Sequence, residues 1–324
     1  MQIVLDTYGL SFSVRNGCFL ITCGEEKRMI HPHRVSSILI TMPCRISSPA
    51  ILLAASNEIS LVICTKTGKP EARLWTPRFL NISTLRRKQY GFTRSINGLN
   101  WAKEVISIKL EGQRSNLLFL AERKPDLSTE ISNAVLQIEQ SIYRLKNDSS
   151  TYEDGVKQSR FLEAYAAKQY WQLIGQKLPE PYLFLTRIKQ KPTDGFNPCI
   201  NYLYGMLRNH VETAILSMGL DPALGCIHRD GYKLPSLVFD LMEPFRPITD
   251  RLLIEAILSG KLDNCIEIEE DSDICHVSKS GRKKIITLFN KELFTKSKYR
   301  GYIRTFNDHI LYETKSLVDK IRVS

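Results

Sequence analysis

The hydrophobic period of this chain changes once, near residue 85, and that change limits it to a β part followed by a helical part. Before it, residues 3–5, 10–14, 18–22, 37–41 and 60–64 are short β-branched or aromatic runs separated by Tyr-Gly, Asn-Gly and Lys-Thr-Gly turns. Arg15-Asn16-Gly17-Cys18, flanked by two such runs, predicts a hairpin, because Asn-Gly accepts the positive φ angles of a two-residue turn. Residues 49–58 interrupt the pattern with one short helix. Beyond residue 85 apolar residues recur every three to four positions. Val105, Ile108 and Leu117 do so within 101–121, and Ile131, Val135, Ile138, Ile142 and Leu145 share one face of 131–145. A polar break at 147–155 precedes a helix that carries Glu163. Asn197-Pro198 supplies a cap and a first-turn proline for a helix bearing Leu203, Leu207, Val211, Ala214 and Met218, which Gly219 ends. Further helices are expected at 248–258 and 283–294, with a last one from Arg304. The predicted fold is α+β: a small N-terminal β domain at 1–85, sandwich or split-barrel in character, a linker at 86–100, and a larger all-α domain at 101–324.

The 324 residues allow two separate cores, and 43% hydrophobic with 24% charged residues is ordinary for a soluble domain. Lys and Arg number 45 against 34 Asp and Glu, a net charge of +11, which points to a polyanionic partner. No apolar run approaches the roughly 20 residues of a membrane span, and no basic-then-apolar signal opens the chain. Eight cysteines contain no C-x-x-C pair, and most sit among apolar neighbours, as reduced cytoplasmic thiols do. Cys226-Ile-His228 and Cys275-His276 lack the second pair that a zinc site requires. The run of six acidic residues within 263–273 has the character of a solvated loop.

The segment 225–247, GCIHRDGYKLPSLVFDLMEPFRP, concentrates chemistry in an apolar, proline-kinked stretch. His228 precedes Asp240 by one short loop, and Asp240 and Glu243 stand three residues apart, on one side of any helical turn. Upstream, Glu163 shares a helix face with Ala166, Ala167, Tyr170 and Ile174, where a carboxylate is costly unless paired or metal-bound. Glu163, His228 and Asp240 form a nitrogen-and-oxygen set suited to Mn²⁺, or to Mg²⁺ with waters completing its shell. The competing reading has Asp240 and Glu243 paired with Arg246 and Arg251, and Glu163 with a buried Arg or backbone amide. His228-Arg229-Asp230 spells a kinase catalytic-loop tripeptide, but no D-F-G follows and Pro235 stands where a metal-binding Asn is needed. His31-Pro-His33 has the look of a surface turn, His210 of a helix-face residue, and Tyr170 and Trp171 of core aromatics.

Several motifs stand in the order and spacing of one family. They are E-A-Y-A-A-K-Q-Y-W at 163–171, D-G-F-N-P-C-I-N-Y-L-Y-G-M-L at 194–207, G-C-I-H at 225–228 and S-L-V-F-D-L-M-E-P-F-R-P at 236–247. The chain resembles CRISPR-associated protein one, the integrase of CRISPR adaptation, most densely over 159–260. Ala164 departs from the family's usual glycine. The resemblance implies a metal-dependent endonuclease and integrase, in which a DNA 3′-hydroxyl attacks a repeat phosphodiester and inserts a new spacer. Glu163, His228 and Asp240 would be catalytic metal ligands, Glu243 an additional one, and Lys233 and Arg246 phosphate-binding residues. Partners would be double-stranded DNA (protospacer and repeat), a second copy in a homodimer through the β domain, and CRISPR-associated protein two in a heterohexamer. A non-catalytic DNA-binding or assembly subunit, and a general nuclease outside CRISPR loci, remain the alternatives.

Overall fold

Two four-stranded sheets share the N-terminal core. The structure, a computed structural model, describes residues 1–324 apart from 36, 58, 66–69, 75–82, 124–127, 149–150, 229–233 and 270–271. Its strands here are β1 (Gln2–Leu5), β2 (Ser11–Arg15), β3 (Cys18–Cys23), β4 (Glu26–Ile30), β5 (Ser37–Ile40), β6 (Arg45–Ile46), β7 (Ser60–Cys64) and β8 (Pro70–Arg73). One sheet runs β1-β5-β7-β8, parallel through its first three strands; the other runs β4-β3-β2-β6. Ile3, Leu5, Ile38, Ile40 and Leu61 from the first sheet pack with Phe12, Phe19 and Ile30 from the second, as the sandwich expectation requires. Phe12 and Phe19 stack with ring centroids 5.1 Å apart. Helix α1 (Ser48–Ser56) adds Ala50 and Ala54 to this core, and the Ser47 hydroxyl caps it by accepting from the Ala50 amide at 3.4 Å.

The expected β2–β3 hairpin forms, with Arg15 opposite Cys18 and with Asn16 and Gly17 at φ 50° and 71°. Strand β4 was not expected, because Glu26, Lys27, Arg28 and Met29 show no apolar alternation. All four are exposed on a sheet edge, where charge protects the open backbone from pairing with another chain.

The remaining helices are α2 (Ser83–Phe92), α3 (Ile96–Arg123), α4 (Ser128–Asn147), α5 (Tyr152–Gly175), α6 (Phe196–Ser217), α7 (Ser236–Met242), α8 (Arg246–Leu258), α9 (Lys279–Phe294) and α10 (Phe306–Val323). Most of 86–100 is therefore helix. Two small hairpins interrupt the helical part: β9 (Ile266–Ile268) with β10 (Cys275–Val277), and β11 (Lys296–Tyr299) with β12 (Tyr302–Thr305). The acidic run 263–273 thus contributes a strand as well as a loop. The chain divides into two compact units, 1–83 with 290–309, and 84–289 with 310–324. Among the described residues no helix is long and apolar enough to cross a membrane.

Helix α3 is the spine of the second unit and packs against α4, α5 and α8. Neighbours on several sides explain why it buries Lys103, Ser107, Lys109, Gln113 and Asn116 as well as Leu99, Ile106, Leu110 and Leu117. At Gly112 it meets the start of α8 so closely that an added Cβ would lie 2.6 Å from Pro247 Cβ. Asn116 fixes the same crossing by donating to the Pro247 carbonyl at 2.8 Å. The first turn of α6 is capped by Asp194, whose Oδ1 accepts from the Asn197 amide at 2.7 Å, not by Asn197 itself. The Asn197 side chain instead holds the preceding loop, donating to the Thr186 carbonyl at 2.9 Å. Gly112→Ala should force α3 and α8 apart and lower stability by about 1–3 kcal/mol, measured as a shift in the urea midpoint at unchanged slope.

Candidate active site

The segment expected to carry the chemistry folds around Asp240. Its carboxylate, on α7, is fully buried and among the described residues is hydrogen-bonded by the loop 226–228. Oδ2 accepts from the amides of Cys226 (2.5 Å) and Ile227 (2.9 Å). Oδ1 accepts from the His228 amide (2.9 Å) and meets His228 Nδ1 at 2.7 Å. Gly225 is required for this wrapping, since a Cβ there would stand 2.7 Å from Asp240 Oδ2 and 2.9 Å from Ser236 Cβ. The bond to Nδ1 fixes the ring, so the other nitrogen, Nε2, is the one not committed to Asp240. Arg160, one turn before Glu163 on α5, donates to the Ile227 carbonyl at 2.7 Å and ties the loop to that helix.

Glu163 and Glu243 meet at Lys109. The Lys109 ammonium donates to Glu163 Oε1 and lies 2.6 Å from Glu243 Oε2, an ion contact outside hydrogen-bond geometry. Glu243 Oε1 accepts from Arg246 Nε at 2.9 Å. Burial alone would push the Glu243 carboxyl up, but Arg246 and Lys109 outweigh it, with a smaller contribution from His228, and hold it down at about 2. Burial likewise works against the Lys109 ammonium, and Glu243 and Glu163 override it, so its pKa is raised. Glu163 and Glu243 therefore converge on Lys109, His228 lies near enough to Glu243 to act on its charge, and Asp240 faces the loop that carries His228. Arg246 is engaged by Glu243 and lies over the Tyr204 ring at 4.6 Å, the ion-pair alternative for this residue. Lys233 lies outside the described residues. Among the described residues no three His, Cys, Asp or Glu side chains are close enough to hold an ion as they stand. The ammonium of Lys109 takes the space between the two glutamates.

A model of the family described as CRISPR associated protein Cas1 matches residues 3–291. The chain belongs to the Cas1 family. It is 28% identical over 99% of its length, and 96% of the relative's, to a CRISPR-associated endonuclease Cas1 of Archaeoglobus fulgidus. A CRISPR-associated endonuclease Cas1 of Korarchaeum cryptofilum is 31% identical over 78% of the chain and 76% of the relative. In fold it is similar to a casposase bound to integration product, with TM-score 0.82 at 24% identity over 99% of this chain and 90% of that one. It also resembles a CAS1 protein from Thermotoga maritima, with TM-score 0.77 at 17% identity, covering 99% and 97%.

Across Arg246 and Tyr204 from these residues lies a second buried polar cluster that spacing alone did not single out. Asp250, on α8, accepts from Tyr204 (2.6 Å) and Tyr170 (3.2 Å), and Asn116 donates to the Tyr170 oxygen at 3.0 Å. Asn201, one turn after Asn197, accepts from Arg187 at 2.9 Å, and Arg187 lies over the Trp171 ring at 5.3 Å. Tyr170 is accordingly a core residue, with the half-buried Trp171 edge to face against it at 4.7 Å. His31 and His33 stack on each other at 5.1 Å in an exposed turn.

Burial is the largest influence on Asp250. It outweighs the help from Tyr204, Arg187, Arg246 and Tyr170, and raises the pKa from 3.8 to about 6. A raised acid binds its proton more tightly folded than unfolded. Its contribution therefore favours folding fully below pH 3.8 and is lost as the pH rises through about 6. Urea unfolding at pH 4 and 7.5 should show wild type losing about 2 kcal/mol relative to Asp250→Asn across that interval. Parallel pH profiles for the two proteins would contradict the assignment.

Proposed function

We propose that the protein is a metal-dependent DNA endonuclease and integrase of CRISPR adaptation, with Glu163, His228 and Glu243 as metal ligands. The convergence of two glutamates on one buried cation carries this reading. The Lys109 ammonium stands in for a positive ion between them, and His228, which acts on the charge of Glu243, adds an imidazole nitrogen to the proposed set. Two carboxylates and one imidazole suit Mg²⁺ or Mn²⁺. Such an ion, when bound, would polarise the phosphoryl oxygen and stabilise the attacking and leaving oxygens of an in-line displacement.

The chain's own residues divide the rest of the work. Asp240 orients His228 through Nδ1 and holds the loop by three amides, which supports a positioning role in place of the ligand role expected for it. Arg246 fixes Glu243 and is itself placed over Tyr204. Helix α5 carries Glu163, the 3-10 turn between α7 and α8 carries Glu243, and the loop bound to Asp240 carries His228, so each ligand is held in place and loses little freedom on binding.

DNA as substrate is supported by the net charge of +11 and by relatives named as CRISPR-associated endonucleases. One solved relative in fold is a Cas6-RT-Cas1–Cas2 complex. A Cas2-type protein is the assembly partner this reading calls for. Insertion at both ends of one repeat needs two active sites at a fixed separation, and hence two homodimers bridged by that partner. Lys233, five positions after His228 in the sequence, would contact phosphate on this reading.

Glu163→Gln, Glu243→Gln and His228→Ala should each abolish Mn²⁺-dependent strand transfer into a repeat plasmid while leaving the melting curve of the metal-free protein cooperative. Asp240→Ala should instead lower stability as well as activity, because it strands three buried amides at about 1–3 kcal/mol each. Full strand transfer by Glu243→Gln would remove that residue from the ligand set. Affinity for a short duplex should fall along a straight log–log line with salt, its slope counting phosphate contacts; a flat response would exclude a phosphate-dominated interface.

A further inference from the structure

We propose that Lys109 is a built-in counter-ion of the metal site, holding Glu163 and Glu243 together when no divalent ion is bound and leaving them when one binds. This rests on the metal reading above. Lys109 is 7% exposed and sits between carboxylates delivered by two different parts of the chain, α5 and the 3-10 turn at Glu243–Phe245. Its stem rises from the centre of α3, between the buried Ile106 and Gln113.

A charge count decides the consequence. Glu163 and Glu243 contribute two negative charges, and Lys109 and Arg246, the cations paired with them, two positive ones, so this four-residue cluster is neutral, Asp240 being answered separately by the loop amides and His228. A divalent ion added without other change would leave it at plus two in a buried site, where unbalanced charge is expensive. Arg246 is held by Glu243 and by the Tyr204 ring. Lys109, a flexible stem ending in a compact point charge, is the group that can withdraw. Removing Lys109 in the metal-free protein would also leave two carboxylates balanced by a single guanidinium, that of Arg246 on Glu243. The lysine therefore supports the fold without metal and competes with metal for the same two oxygens.

The test uses the full chain without DNA, in chelator and then titrated with Mn²⁺, and follows melting temperature and calorimetric affinity for wild type, Lys109→Met, Lys109→Gln and Glu243→Gln. Both lysine variants should melt several degrees lower in chelator, gain more from saturating Mn²⁺, and bind it about tenfold more tightly than wild type. A Lys109→Met protein that folds only once Mn²⁺ is added would support the exchange in its strongest form. If Met cannot be accommodated at all, Lys109→Gln, which can still bond both carboxylates, decides the matter. Unchanged or weaker Mn²⁺ affinity in Lys109→Gln, with wild-type binding intact, would overturn the proposal. Absence of Mn²⁺ binding by wild type, with Glu243→Gln indistinguishable from it, would instead remove the metal reading and the counter-ion role with it.

Discussion

The carboxylate of Asp240 is a full negative charge with no exposure to solvent, and the geometry around it follows from the need to satisfy it. Three successive amides and one imidazole nitrogen do so. Bringing three amides to one side chain requires the backbone to curl tightly, and only glycine at 225 leaves room for it. Curling the loop fixes His228, and Arg160 anchors the loop to the helix that carries Glu163. One buried charge thus sets the relation between two segments more than sixty residues apart in sequence.

The same constraint recurs at each deeper layer. Glu243 is buried and answered by Lys109 and Arg246; Asp250 is buried and answered by two tyrosine hydroxyls. Breaking any one of these would leave an uncompensated group, which costs more than the intact pair contributes. Their value is in specificity: hydrogen bonds of fixed direction hold α3, α5, α6 and α8 in one arrangement where apolar contacts alone would tolerate several. A catalytic centre that must align a scissile phosphate benefits from that rigidity, because small displacements of reacting groups cost large factors in rate.

Belonging to the Cas1 family places this arrangement on a fold that tolerates wide sequence change. The solved relatives keep the fold at 17–24% identity. Apolar positions in the β sandwich and along α3–α5 can exchange among residues of similar volume. The charged positions around Asp240 have no such freedom, since each is answered by a partner of opposite sign or by a backbone amide.

The sequence alone determined the order of the two parts, the Asn16-Gly17 hairpin and most helices, because those depend on local periodicity and on backbone preferences of single residues. It also brought Glu163, His228, Asp240 and Glu243 to notice, since carboxylates and a histidine on apolar faces are costly without a purpose. Strand β4 escaped because an edge strand's pairing comes from its neighbour, and nothing in Glu26-Lys27-Arg28 signals that neighbour. What each acidic residue does was decided only by tertiary structure. Asp240 and Glu243 differ by three positions on one turn and look interchangeable in sequence. Folding turns one toward three amides of a loop and the other toward Lys109, a residue 134 positions earlier whose role no local pattern encodes. Direction of a side chain within a core depends on what packs against it, and those contacts come from segments distant in the chain.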